Sequence, residues 1–174
     1  MDCRDLIIDG LSRVDEDLRR TLDGLSREQL AFRPQETANS IAWLAWHLTR
    51  VMDDHVSELA GQRQAWVTDS WHQRFDKPAD ESDTGFGYGP AEVAALKVES
   101  AQLLVDYFAA VYSRTLSYLH TVSCEDMDRI VDRRWDPPVT AGVRLVSVVN
   151  DTTQHVGQMA YVRGLVEGRK WLPY

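Results

Sequence analysis

The sequence predicts an all-α protein, a four-helix bundle with one long loop between its second and third helices. Four stretches of about 20 residues place apolar side chains at steps of three and four, the spacing of one helix face, and none shows the alternation of a half-buried strand. The 174 residues, 44 % hydrophobic and 26 % charged, suit one domain over 1–174 that buries enough surface to hold a core unaided.

In the first helix Ile7, Leu11, Val14, Leu18, Leu22 and Leu25 share a face opposite Asp9, Arg13, Glu16, Asp17, Arg19, Arg20 and Asp23, and Gly24 lies near the end. Ser26 and Gln29 have capping-box spacing and open a short turn that Arg33-Pro34 closes. The second helix starts after Asn39 or Ser40, buries Ile41, Leu44, Ala45, Leu48, Val51, Met52, His55 and Leu59, and stops at Gly61. Trp43 and Trp46 fall on its other side, where they offer a homodimer contact or pack under the long loop. That loop, Gln62 to Gly89, contains acids between Asp80 and Asp83 and the glycines Gly85, Gly87 and Gly89. It also holds Trp66, Trp71, His72, Phe75, Phe86 and Tyr88, too aromatic for a disordered linker, so an ordered loop with a helical turn around Trp71 is expected.

Gly89-Pro90 opens the third helix, with proline in the first turn. Ala94, Ala101, Val105, Phe108, Tyr112, Thr115, Leu119 and Val122 mark its buried stripe. Ser123 caps a short turn, and 130–143, with Asp136-Pro137-Pro138 and Gly142, reads as irregular. The last helix runs from Leu145 to Glu167 and stops at Gly168.

Nineteen basic against twenty-seven acidic residues give a net charge of −8, which argues against nucleic acid as a partner. No run approaches the ~18 apolar residues of a membrane helix, and the acidic N-terminus is unlike a signal peptide. Cys3 and Cys124, far apart in sequence, read as free thiols in a reducing cytoplasm, without an activating neighbour that would make either a nucleophile.

The chemistry lies in three residues. Asp151 and His155 are four apart on the last helix and project the same way, at the edge of its apolar stripe in line with Gln158. His47 lies at the edge of the second helix's stripe, in line with Val51 and Asp54. Two imidazoles and a carboxylate at a helix–helix groove suit a divalent transition metal with open positions. By spacing alone they equally suit a solvated Asp–His pair and a histidine bonded to a carbonyl. Asp54 is a candidate base or orienting group, or a solvated acid beside Asp53. Gln158 is placed to bond a bound water. Arg163, on the buried side, requires a partner. His55 reads as packing, and His72 and His120 as surface groups.

The stretch SIAWLAWHLTRVMDDHVSELAG resembles the second helix of the DinB-like superfamily, which includes the amino-terminal domain of mycothiol-dependent maleylpyruvate isomerase. VVNDTTQHVGQMAYVRGL resembles its last helix, where an acid or histidine precedes a histidine by four. The resemblance covers most of the chain and implies a bundle binding a divalent metal, zinc or nickel, through His47, Asp151 and His155. Many members have histidine at the position of Asp151, and the isomerase type has glutamate, a longer carboxylate. The resemblance further implies a low-molecular-weight thiol of the mycothiol or bacillithiol type and a small-molecule substrate. The expected activity is S-transfer or isomerisation, with Asp54 and Gln158 as its candidate catalytic groups. The isomerase carries a further domain without counterpart before Tyr174, so its own activity is not expected to carry over. The alternative is a non-catalytic, dimeric, stress-related bundle with a structural metal or a small-ligand site.

Overall fold

The computed structural model describes residues 1–170. Its frame is four long helices: α1 (Cys3–Leu22), α3 (Ile41–Ala60), α7 (Ala101–Leu119) and α8 (Ala141–Glu167). Between them lie α2 (Arg27–Ala31), α4 (Ala65–Thr68), α5 (Trp71–Arg74) and α6 (Pro90–Ala95). A 3₁₀ turn (Glu125–Asp128) and a hairpin of β1 (Ile130–Asp132) and β2 (Val139–Thr140) precede α8.

The helix starts follow local chemistry. Asp2 accepts from the Arg4 and Asp5 amides, and Asp5 returns a bond to the Asp2 amide. Ser26 and Gln29 form the expected capping box, while Ser40, Ser100 and Thr140 cap α3, α7 and α8. On its outer face α1 pairs Arg13 with Asp9, Arg19 with Asp15 and Arg20 with Glu16, each four residues apart. Its inner face buries Leu11, Val14, Leu18 and Leu22.

Around the bundle the order is α1, α7, α3, α8, so α1 and α3 lie diagonally. Arg4 bonds the Val122 carbonyl, which sets the start of α1 beside the end of α7. Arg163 on α8 reaches the Thr21 carbonyl near the end of α1, and Glu58 near the end of α3 reaches Arg144 near the start of α8. Arg114 on α7 reaches the Arg63 carbonyl just past α3. Leu96 and Val98, before α7, share a cavity wall with Ser40 and Ala42 at the start of α3. Thus α3 and α7 run parallel, as do α1 and α8, while the other neighbours are antiparallel. A parallel return needs a long crossover, and 62–100 supplies it.

Several expectations change. The third helix divides: α6 ends at Ala95, Leu96 and Val98 turn into the core as an extended segment, and Ser100 starts α7. α8 begins four residues earlier than expected, because Thr140 rather than a later residue caps it. The segment expected to be irregular forms the β1–β2 hairpin, too short for alternation to reveal. Trp43 and Trp46, at 6 % and 0 % exposure, are core and not a dimer surface. The crossover packs over the side of α3 that the bundle leaves uncovered, so every residue from Ile41 to Arg50 is buried. Cys3 and Cys124 form a disulfide, which the antiparallel packing of α1 and α7 makes reachable across 121 residues. That pairing removes the support that free thiols lent to a reducing compartment. Among the described residues no helix is long and apolar enough to cross a membrane.

Candidate metal centre

Antiparallel packing of α3 on α8 brings His47 to Asp151 and His155. Each of the three offers one ligand atom, all within 4.8 Å of one another. Nε2 of His155 lies 3.5 Å from Oδ1 of Asp151. The two imidazole rings meet edge-on, with centroids 4.9 Å apart and planes at 76°. His47 is buried while Asp151 and His155 are partly exposed, so the cluster has a closed wall and an open side. Trp43, one turn before His47, stacks on its ring at 4.6 Å and forms part of that wall.

Both imidazoles are oriented from behind. Nδ1 of His47 donates to the Thr84 carbonyl at 2.6 Å, which leaves the Nε2 lone pair for the cluster. Thr84 sits in the crossover and is held there by two anchors. The fully buried Arg50 donates to the Asp83 and Glu81 carbonyls at 3.0 and 3.1 Å and stacks over Trp66. Lys77 bonds Asp83 and Tyr88 at 2.8 Å each, and Tyr88 also donates to Asp83 at 2.6 Å. Gly85 makes the close approach possible. Its φ is +83°, and a Cβ there would stand 2.7 Å from Cζ3 of Trp46 and 3.2 Å from Cζ2 of Trp43. On α8, Nδ1 of His155 donates to Oε1 of Gln158 at 2.8 Å, one turn along the helix.

The electrostatics call for positive charge at the centre. Oδ2 of Asp151 is buried and takes no hydrogen bond among the described residues, a costly condition for a carboxylate oxygen. With Nδ1–H given to Gln158, the Nε2 lone pair of His155 faces Oδ1 of Asp151, two acceptors that a proton or a cation between them would reconcile. Burial pulls the His155 imidazole down, but its bonds to Asp151 and Gln158 outweigh that and hold it above its ordinary 6.5. Burial holds His47 below 6.5, and the neighbouring His155 adds to that effect. Two bonds of about 2.1 Å to one ion span at most about 4.2 Å, so the 3.5 Å between His155 and Asp151 suits a shared ion. The donor set, two neutral nitrogens with second-side hydrogen bonds and one carboxylate, therefore fits a divalent transition metal.

The remaining candidates lie elsewhere or act indirectly. Gln158 reaches the centre through His155. Asp54 lies outside the cluster: Oδ1 accepts from Gln64 Nε2 at 2.8 Å, and Oδ2 lies 3.4 Å from Nδ1 of His55. Burial holds the Asp54 carboxyl above its usual range. His55 is half-buried instead of core, beside Arg144 at 3.1 Å. Arg163 has its carboxylate, Glu167 at 2.8 Å, and also caps the end of α1 through the Arg20, Thr21 and Asp23 carbonyls. His72 bonds the Trp66 carbonyl within the crossover, while His120 is exposed. Sequence reasoning missed Thr84, Gly85 and Arg50. The signal available was Gly85 itself, a glycine set between aromatic residues in a long loop.

The bundle and this cluster can be set beside known proteins. The crystal structure of a conserved protein from Enterococcus faecalis is similar, with a TM-score of 0.90 and 34 % sequence identity over 97 % of this chain and 99 % of that one. No curated protein matches. The sequence model of the mycothiol-S-transferase family matches residues 7–168, a span holding all four long helices but the first residues of α1, as well as the His47–Asp151–His155 cluster. On that match the chain belongs to the mycothiol-S-transferase family, of DinB-like fold.

Proposed function

We propose that the chain is a metal-dependent S-transferase that joins a low-molecular-weight thiol, of the mycothiol or bacillithiol type, to an electrophilic small molecule. The observation that carries this is the buried, unbonded Oδ2 of Asp151 beside two imidazoles. His47, Asp151 and His155 would hold the ion, and two nitrogens with one carboxylate suit zinc or nickel. A divalent cation supplies Lewis acidity that brings the pKa of a thiol or water down toward neutrality.

The chain's own groups prepare the place. Thr84 keeps the proton of His47 on Nδ1, and Gln158 does the same for His155, so both Nε2 atoms face inward as lone pairs. Trp43 covers the back of His47 and excludes water from that side. Asp151 and His155, partly exposed, leave the front open to a small molecule. Gln158 is thus a positioning residue, and Asp54, committed to Gln64 and His55, stands apart from the transfer step.

The test is transfer of a thiol such as mycothiol to a model electrophile. The metal-loaded chain should exceed both chelator-treated protein and the His47→Ala/His155→Ala variant. Equal rates in all three would favour the non-catalytic bundle with a structural metal.

A further inference from the structure

The Cys3–Cys124 bridge joins the first residue of α1 to the residue that opens the 3₁₀ turn after α7. Cys124 is exposed and Cys3 only partly so, and access therefore favours the Cys124 side. The two sulfurs also differ in electrostatic setting. Cys3 starts a 20-residue helix, whose N-terminal end carries partial positive charge. The Asp2 carboxylate, with an oxygen within 4.8 Å of both sulfurs, opposes that charge, but Arg4 pairs with it at 2.6 Å. Asp5 turns its carboxylate to the Asp2 amide. Cys124 is followed by Glu125, Asp126 and Asp128, with Arg129 the first cation after them. A negative charge is thus better placed on the Cys3 sulfur than on that of Cys124. Opening the bridge leaves other ties in place. Arg4 Nη1 donates to the Val122 carbonyl at 3.2 Å, beside the bridge, and Leu11, Val14 and Leu18 keep α1 in the core.

We propose that this bridge is a thiol–disulfide exchange site for a small aliphatic monothiol, with Cys124 as the receiving sulfur and Cys3 as the leaving one. The incoming thiolate attacks Sγ of Cys124. A new S–S bond forms there as the Cys124–Cys3 bond breaks, and the electron pair departs on Sγ of Cys3. The chain then carries a mixed disulfide on Cys124 and a thiolate on Cys3. The incoming sulfur is oxidised and that of Cys3 reduced, so no further oxidant is needed. Exchange is fastest where the attacked sulfur is accessible and the leaving sulfur holds its charge well, which is the asymmetry of this bridge. With α1 still tied to Val122, Cys3 stays near enough to attack the mixed disulfide in turn, which restores the bridge and releases the thiol. No metal and no member of the His47 cluster takes part, so the inference stands apart from the thiol-transfer proposal.

The test incubates the chelator-treated chain with 2-mercaptoethanol, a neutral monothiol, and quenches with N-ethylmaleimide before peptide mass spectrometry. The mercaptoethanol adduct is expected on Cys124 with maleimide on Cys3, over the reverse pairing by about fivefold or more, the effect of one exposed charge at close range. Circular dichroism should keep its helical signal while the adduct forms. Asp2→Asn keeps a capping side chain and removes the carboxylate near the sulfurs. It should speed exchange about fivefold, a gain that about 1 M salt should erase, since screening then acts within roughly 3 Å. The His47→Ala/His155→Ala variant should exchange as wild type does, so failure of the transfer assay leaves this result readable. An adduct mainly on Cys3, an adduct that forms only as the helical signal is lost, an unchanged rate in Asp2→Asn, or loss of exchange in the double histidine variant would each overturn the proposal.

Discussion

Nδ1 of His47 lies 2.6 Å from the carbonyl oxygen of Thr84, a residue 37 positions later in the chain. A backbone carbonyl can only accept, so this contact fixes the proton on Nδ1 and turns Nε2 toward Asp151 and His155 as a lone pair. The crossover is therefore part of the candidate centre, and Gly85, next to Thr84, lies so near Trp43 and Trp46 that a side chain there would meet both.

Gly85→Ala should separate Thr84 from His47. The added methyl meets Trp46 at 2.7 Å in a backbone conformation with φ +83°. Left-handed backbone costs a non-glycine residue about 1–2 kcal/mol, and displaced second-side partners typically lower metal affinity about 10–100-fold. Thermal unfolding and a zinc titration measure the two effects, and an unchanged zinc affinity would show that Thr84 does not orient His47.

Asp151→Asn keeps the shape of the side chain and removes its charge. Without metal, at a pH where His155 is neutral, the variant should be as stable as wild type or more stable by up to about 1 kcal/mol, because a poorly partnered carboxylate is gone. With metal at a hundredfold excess over its dissociation constant, wild type should gain about 2.7 kcal/mol, and the variant little or nothing. Paired melting curves with and without zinc decide it.

The site's pH dependence follows from opposite shifts. His155 is held above 6.5 and His47 below it, and a metal requires both neutral. Affinity should begin to fall as pH drops past a point above 6.5, by about tenfold per unit, and more steeply once His47 also takes a proton. In the metal-free chain the sign for His155 reverses: its raised pKa stabilises the fold below the unfolded value, and that contribution is lost as pH rises through the folded one. His47, held below 6.5, contributes with the opposite sign, so in melts of the metal-free chain across pH 5–8 (roughly the histidine range) the His155 part is read as the difference between wild type and His155→Ala, and that difference should shrink as pH rises, whereas metal affinity should grow.

Reducing the Cys3–Cys124 bridge, which closes a loop across 121 residues, should lower stability by up to about 4–5 kcal/mol on chain-entropy grounds. The bridge ties α1 to the 3₁₀ turn after α7, whereas the cluster stands on α3 and α8. Cys3→Ser/Cys124→Ser should melt earlier and still bind metal with wild-type affinity, as calorimetry would show.

The bundle was legible because its long helices carry stripes at helical spacing and capping residues at their starts. The His47, Asp151 and His155 set was legible because two members share one turn of α8 and the third sits in a recognisable helix. Other features depend on where the chain returns, which spacing does not encode. Trp43 and Trp46 look exposed on a helical projection, yet the crossover covers them. Cys3 and Cys124 look unrelated until α1 and α7 run antiparallel. Thr84 contributes only its carbonyl, so no side-chain type could have marked it. Asp54 shares the line of His47, but its two-turn offset places it beside His55 and Gln64.

Titration of zinc or nickel into the metal-free chain, followed by calorimetry, bears most directly on the cluster as a metal centre. One ion per chain should bind to wild type with a sharp end point, and none to His47→Ala/His155→Ala. Equal binding by both proteins, or no binding by wild type, would contradict it.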